Sequence, residues 1–295
     1  MSALLEVDDP IDECAELARG MATTRCRRDP RTGESCAWYH GLWSDLRAVG
    51  LGSRVSYQAD FLGRIVPLVT RQRPRVLVAG AADHAILAHV LAACDAHAIA
   101  PQVTILDRCE TPLRLNEWYA TRVGRSIATR HADMFEHRPS DPYDLIVAHS
   151  FIGYFPPERR QSLFLHWSAM LAPSGVLAVV NRVREGDPRA FLTFGAREAA
   201  AFRAAAEARL RPRLSAAALV AQLDRAGAYV RNHGVHPLPR EELSSLFASA
   251  GLRVDVSLDV AASDDRNREL AGVAVVSNAT YACVAGTRSD QLRQK

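Results

Sequence analysis

The stretch Val76-Leu77-Val78-Ala79-Gly80-Ala81-Ala82-Asp83-His84 is an apolar run that breaks at a glycine and two alanines before an acidic side chain. Where a buried strand turns into a helix, small residues let a ligand approach the backbone, and the free amides of the helix start attract polar or negative groups. Tight packing of helix on strand would use the same residues. Two further positions narrow the choice. Asp107 closes the next apolar run, with Arg108 directly after it, and a carboxylate there would accept hydrogen bonds from both hydroxyls of a ribose. Asp133-Met134 follows the third run, where a carboxylate beside a thioether suits an adenine amino group and ring face. Either aspartate alone reads as a helix cap. Together with the glycine turn they occupy consecutive strand ends, on the edge where open α/β sheets bind ligands.

Proton chemistry has its candidate after the fourth run. His149, with an intrinsic pKa near ~6.5, suits proton removal at neutral pH, although a histidine at a strand end also serves as a plain structural hydrogen-bonder. Ser150 follows it. Tyr154, in the loop Phe151 to Pro157, and Tyr39 are the candidates for orienting a substrate. Tyr39 belongs to a cluster with Trp38, His40 and Trp43 that reads either as core packing or as the roof of a pocket. Arg182, Arg184 and Arg189 lie beyond the fifth run, placed to hold a carboxylate or phosphate or to end as solvated charges.

These residues need a frame. Apolar runs predict strands at Arg75 to Gly80, Gln102 to Asp107, Ser126 to His131, Tyr143 to His149 and Gly175 to Asn181. Helical spacing fills the gaps at Asp83 to Ala96, Thr111 to Val123 and Pro157 to Leu171, the last stopped by Pro173-Ser174-Gly175. A further helix, Pro239 to Ala250, precedes strands at Arg253 to Leu258 and Ala279 to Ala285. The expected architecture is α/β: a doubly wound, seven-stranded, mostly parallel sheet. Residues 1–70 form an N-terminal helical cap, with helical pieces at Ile11 to Ala22 and Cys36 to Val49, and residues 71–295 the main domain. An Ala- and Arg-rich helical cover, 187–234, is inserted after strand five with a helix on either side of Pro212. The charged connection Ala261 to Ala274 is longer than a simple hairpin loop.

Composition excludes several classes. The 295 residues are 48% hydrophobic and 23% charged, with a net charge of +3, which marks neither a disordered chain nor a nucleic-acid binder. No apolar run is long enough to span a bilayer, and the acidic start from Met1 to Asp12 lacks the order of a secretory signal, so the expectation is a cytoplasmic protein. The only lysine is Lys295, so an internal Schiff base, a Walker loop and a kinase strand lysine all lack their residue. Cys14, Cys26, Cys36, Cys94, Cys109 and Cys283 include no CxxC pair; Cys26, Cys36 and His40 fit no common zinc spacing, so reduced thiols and no metal are expected.

From Arg75 to Ala285 the chain resembles the class I S-adenosylmethionine-dependent methyltransferases of small molecules. The resemblance rests on the turn at Gly80, Ile105-Leu106-Asp107, His131-Ala132-Asp133-Met134, Tyr143-Asp144-Leu145-Ile146-Val147 and Leu171-Ala172-Pro173-Ser174-Gly175-Val176-Leu177. It implies S-adenosylmethionine as cofactor, with Gly80, Ala81, Ala82 and Asp83 at its methionine portion, Asp107 and Arg108 at the ribose, and Asp133 and Met134 at the adenine. It also implies that His149 and Ser150 lie near the sulfonium and substrate. The family's acidic residue and alternating glycines are here Val78, Gly80, Ala82 and His84, which leaves Asp83 as the acidic residue at hand. No Asn-Pro-Pro-Tyr-like signature follows strand four, so the acceptor expected is a small molecule, as in specialised biosynthesis, and not a nucleic acid or membrane; a homodimer is compatible with the sequence. Two other readings share these residues: an enzyme in which the cofactor's own amino group attacks its carbon chain and methylthioadenosine leaves, and a non-catalytic binding module.

Overall fold

The computed structural model describes residues 7–28, 33–52, 58–261 and 280–288. Before the sheet come α1 (Ile11–Arg25), α2 (Ala37–Ala48) and α3 (Gln58–Ile65). Then follow β1 (Arg75–Ala79), α4 (Ala85–Ala96), β2 (Gln102–Asp107), α5 (Glu110–Arg122), β3 (Ala128–His131), β4 (Tyr143–His149), α6 (Pro157–Met170) and β5 (Leu171–Val183). The chain continues through β6 (Leu192–Thr193), α7 (Ala196–Leu210), α8 (Ala216–Asn232), β7 (Gly234–Val235), α9 (Arg240–Ser249), β8 (Leu252–Ala261) and β9 (Thr280–Arg288). The main sheet has seven strands in the order β3-β2-β1-β4-β5-β9-β8. β1 to β5 are parallel, and β9 enters antiparallel between β5 and β8. The expected α/β class, strand number and mostly parallel sense are those of the molecule.

Strand alternation divides the core. Val76 and Val78 of β1, Ile105 of β2, Leu145 and Val147 of β4 and Ala178 of β5 face one side, where they bury against α3, α4 and α5. Leu77, Ala79, Leu106, Ile146, Ala148, Leu177 and Val179 face the other side, against α6 and α9. Burial on both faces explains why these strands read as continuous apolar runs. A separate apolar cluster joins Leu42 and Leu46 of α2 to Phe202, Leu210, Ala226 and Tyr229 of α7 and α8, so the N-terminal helices and the inserted helices pack on each other above the strand ends. The order of strands reverses between β1 and β4, and a crevice opens at their carboxyl ends.

Several boundaries differ from expectation. The helix after β1 starts at Ala85 and not at Asp83, because Oδ1 of Asp83 accepts the Ala85 amide at 3.0 Å and ends the turn. The third strand begins at Ala128 instead of Ser126. β5 is longer than the predicted Gly175 to Asn181: Leu171 already pairs with Tyr143, and Pro173-Ser174-Gly175 sits inside a register shift between Tyr143 and Leu145. There Ser174 has φ 61°, and a Cβ on Gly175 would lie 2.9 Å from the carbonyl oxygens of Ala172 and Tyr143, so only glycine fits. The helix α3 and the two-residue pair β6·β7 were not predicted; the latter is too short to show a pattern. The connection Ala261 to Ala274 lies, past its first residue, outside the described residues.

Candidate functional site

A cavity of about 450 Å³ fills the crevice, within the range of small-molecule sites. Its walls come from the strand ends, from α2 and from the inserted cover. Gly80, Ala81, Ala82, Asp83, Asp107, Arg108, Asp133, Met134, His149, Ser150, Tyr39 and Tyr154 all line it, so the structure brings together the residues expected at the cofactor and at the reacting atoms.

At the first strand end, Gly80 has φ 77°, and an added Cβ would meet the Phe151 ring at 2.7 Å. Glycine is therefore required twice, by backbone conformation and by contact. Asp107 is drawn tight against this turn: one carboxylate oxygen accepts the Ala81 amide at 3.0 Å and the other the Cys109 amide at 2.7 Å. A carboxylate has about four lone-pair sites, so two remain for hydroxyl donors. Burial raises the Asp107 pKa, opposed by His40 and by these two amides. Asp133 accepts the Phe135 amide at 2.9 Å, with Arg108 Nε 3.5 Å from its other oxygen. Met134 is held beneath by the Trp167 indole, which donates to its sulfur at 3.1 Å.

Asp83 does two structural jobs at once. Besides receiving Ala85, it takes the Arg47 guanidinium at 2.7 Å, and Arg47 reaches on to Asp9 at 2.5 Å. His84 Nε2 stands 2.8 Å from Asp9. Burial alone would raise the Asp9 pKa, but His84 and Arg47 hold it down to about 2. This chain of charges ties α2 to the glycine turn.

The other half of the cavity is aromatic and cationic. His149 stacks on Tyr281 at 6.1 Å, and burial together with the nearby Arg182 pushes its pKa down to about 3 instead of the ordinary value near ~6.5 assumed from sequence. It is thus a neutral imidazole and a weak proton acceptor. His149 Nε2 and Ser150 Oγ are buried without a hydrogen-bond partner, and Ser150 has φ 49°, a strained conformation at the cavity wall. Tyr39 and Tyr154 line the same wall; burial raises the Tyr39 pKa well above its ordinary value, while the Tyr154 side chain reaches the surface at 47% exposure. Around them stand Tyr229, stacked on His233 at 4.6 Å, with Tyr39 parallel to both. Arg182 and Arg184 line the same space; burial, then Arg182, lowers Arg184 to about 10, and burial and these two arginines lower His233 to about 3. Arg189 does not line the cavity; its amide closes a turn on Asp187.

Sequence reasoning missed Arg47, Tyr229 and His233, which sit in helical patterns without any local signal. It also missed Arg160, whose fully buried guanidinium fastens the Tyr154 loop through Phe155 O, His236 O and Glu242. Nor did it connect Cys26, Cys36 and His40, set aside as unrelated by spacing, with Cys109: the structure places the four side chains together. Among the described residues no helix is long and apolar enough to cross a membrane.

No protein-family model and no curated protein matches the chain by sequence. Solved structures do match by shape. The 1,6-didemethyltoxoflavin-N1-methyltransferase of Burkholderia thailandensis, crystallised with 1,6-didemethyltoxoflavin and S-adenosylhomocysteine, superposes with a TM-score of 0.53 at 16% identity, covering 96% of this chain and 94% of that one. The magnesium protoporphyrin IX methyltransferase of Synechocystis PCC 6803 with bound S-adenosylhomocysteine gives 0.50 at 10% identity over 83% of this chain and 86% of that one. The S-adenosylmethionine-dependent methyltransferase SibL is matched over 58% of its own length, with a TM-score of 0.49 at 15% identity over 85% of this chain. At such identities the likeness speaks for architecture: the chain is built on the Rossmann-like, seven-stranded fold of the first two methyltransferases.

Proposed function

We propose that the chain is an S-adenosylmethionine-dependent methyltransferase acting on a small molecule that carries an anionic group. The observation that supports this most is the convergence of three successive strand ends on one cavity in which His149 Nε2 and Ser150 Oγ lack protein partners. Gly80, Ala81 and Ala82 would underlie the methionine portion, Asp107 would receive the ribose hydroxyls, and Asp133 with Met134 would face the adenine. Bound there, the cofactor supplies an electrophilic methyl on a positively charged sulfur.

Displacement at that carbon asks the protein mainly for alignment, which accounts for roughly 7–11 kcal/mol in well-positioned systems. His149, neutral at physiological pH, accepts a hydrogen bond from the acceptor's N–H or O–H and holds it in line; a group with a pKa of about 3 does little as a base. Ser150 adds a second hydrogen bond beside it. Tyr39 and Tyr154 orient the acceptor, and the faces of Tyr39, Tyr229 and His233 form its wall. Arg182 and Arg184 line this half of the cavity, where Arg182 depresses the pKa of both His149 and His233 and Arg184 that of His233, and they would pair with a carboxylate or phosphate on the substrate. The small net charge of +3, with basic residues spread along the chain, speaks against a nucleic acid acceptor.

Calorimetric titration with S-adenosylmethionine and S-adenosylhomocysteine, followed by mass analysis of the nucleoside formed with a panel of aromatic and carboxylate acceptors, tests the reading. It expects binding, S-adenosylhomocysteine as product and a methylated acceptor. Methylthioadenosine as the product would replace methyl transfer by attack of the cofactor's own amino group, and binding without turnover on any acceptor would favour a non-catalytic module. No binding of either nucleoside would end all three readings.

A further inference from the structure

Beside the cavity, four side chains from three separate segments converge. Cys26 directly follows α1, Cys36 directly precedes α2, His40 lies in the first turn of α2, and Cys109 directly precedes α5. Cys36 and His40 are four residues apart, hence on one helix face. The Cys26 sulfur lies 3.6 Å from the Cys109 sulfur and 3.6 Å from His40 Nδ1, and Cys36 lies 3.5 Å from Cys109. All four ligand atoms fall within 4.8 Å of one another, and all four residues are buried or half-buried.

These separations have a chemical meaning. A disulfide holds its sulfurs at ~2.05 Å, so no pair here is bonded. Around a tetrahedral zinc ion with Zn–S of ~2.3 Å and Zn–N of ~2.0–2.1 Å, the edges are ~3.8 Å between sulfurs and ~3.6 Å between sulfur and nitrogen. The three edges Cys26–Cys109, Cys26–His40 and Cys36–Cys109 match that tetrahedron, and the remaining separations, within 4.8 Å, would close onto the ion. Two of the thiols stand at helix N-termini, whose exposed amides favour the negative charge a ligating sulfur carries. The surroundings are ordered as well: Thr111, fully buried, places its hydroxyl 3.2 Å from the Cys26 sulfur, and Ser35 donates to the Cys26 carbonyl while accepting the Ala37 amide. Arg28 and Ser35 form an antiparallel bridge that brings the segment after Cys26 back to Cys36.

We propose that Cys26, Cys36, His40 and Cys109 form a structural zinc site. Three thiolates and an imidazole are the ligand set and geometry of closed zinc sites, which leave no position for substrate. Binding the ion releases the three thiol protons to solvent. Cys109 is two residues past Asp107, and Cys36 and His40 line the same cavity, so the ion would clamp the N-terminal helices onto the strand end that carries Asp107. The site stands on its own geometry, whatever reaction the cavity performs.

The test uses the full chain, purified without chelator or affinity histidines from zinc-supplemented cells. Elemental analysis is expected to find about one zinc per chain, as four-ligand sites hold. Replacement by cobalt(II) is expected to give the intense visible bands of a tetrahedral ion with thiolate charge transfer, and both signals should vanish in Cys26→Ser/Cys109→Ser. Should that variant fail to fold, differential alkylation of the native chain decides: zinc should shield Cys26, Cys36 and Cys109 from N-ethylmaleimide, and removal by a chelator should expose them. A folded native chain with background zinc, cobalt bound without thiolate absorption, thiols equally reactive with and without chelator, or a disulfide among these cysteines in protein alkylated at lysis would each overturn the proposal.

Discussion

The two halves of the cavity are made in different ways. Gly80, Asp107, Asp133 and Met134 hang on the ends of β1, β2 and β3, three parallel strands paired side by side, and Asp107 is bonded back to the Ala81 amide. The opposite half takes Tyr39 from α2, Tyr154 from the loop after β4, Tyr229 from α8 and Arg182 from β5. The first half is fixed by backbone hydrogen bonding within the sheet, and the second by side-chain packing between helices distant in sequence. The difference teaches that the proposed nucleoside end and the proposed acceptor end rest on different parts of the fold and can change separately. The exceptions are the Asp9–Arg47–Asp83 chain, which joins α2 to the glycine turn, and the meeting of Cys36 and His40 with Cys109, which joins α2 to the end of β2.

The largest expected effect lies in the first half. Asp107→Ala removes charge-assisted hydrogen bonds worth ~1.5–3 kcal/mol each, so calorimetry should show S-adenosylhomocysteine binding about 100-fold weaker. An unchanged dissociation constant would break the comparison at its stronger end. In the second half, Arg182→Met should leave that constant alone and lower kcat/KM for the acceptor about tenfold, as loss of one charge-assisted contact would. Equal damage to nucleoside binding would show that the halves are not separable.

The joint between them has its own signature. Because Asp9 is held down to about 2, below an ordinary carboxylate, its ion pairs stabilise the fold above about pH 4 and lose that contribution as pH falls through about 2. After discounting for partial exposure the contribution is roughly 1–2 kcal/mol. Urea unfolding of Asp9→Asn should therefore match the native chain near pH 2 and be less stable at pH 5. A constant gap across that window would assign Asp9 a role other than charge. The smallest effect concerns His149. With its pKa at about 3, log kcat/KM should carry no histidine limb between about pH 5 and 8. A limb that disappears in His149→Asn would restore it as a general base.

The same division governs what was readable in sequence. β1, β2 and β4 were legible because their apolar runs are buried on both faces; Asp107 was legible because it closes such a run, and Asp133 only by its place after β3, whose residues are half-buried or exposed. Tyr229 and His233 carried no signal, since an aromatic at helical spacing looks the same whether it faces a core or a cavity. The cysteine and histidine cluster was invisible for another reason. Its fourth member, Cys109, is brought to Cys26 by the packing of α1 on α5, and spacing along the chain records nothing of that.

The most direct measurement is a crystal structure of the chain with S-adenosylhomocysteine. The account places both ribose hydroxyls within hydrogen-bond distance of the Asp107 carboxylate, the adenine against Asp133 and Met134, and the sulfur facing His149. A nucleoside bound elsewhere, or an Asp107 carboxylate turned away from the sugar, would contradict it.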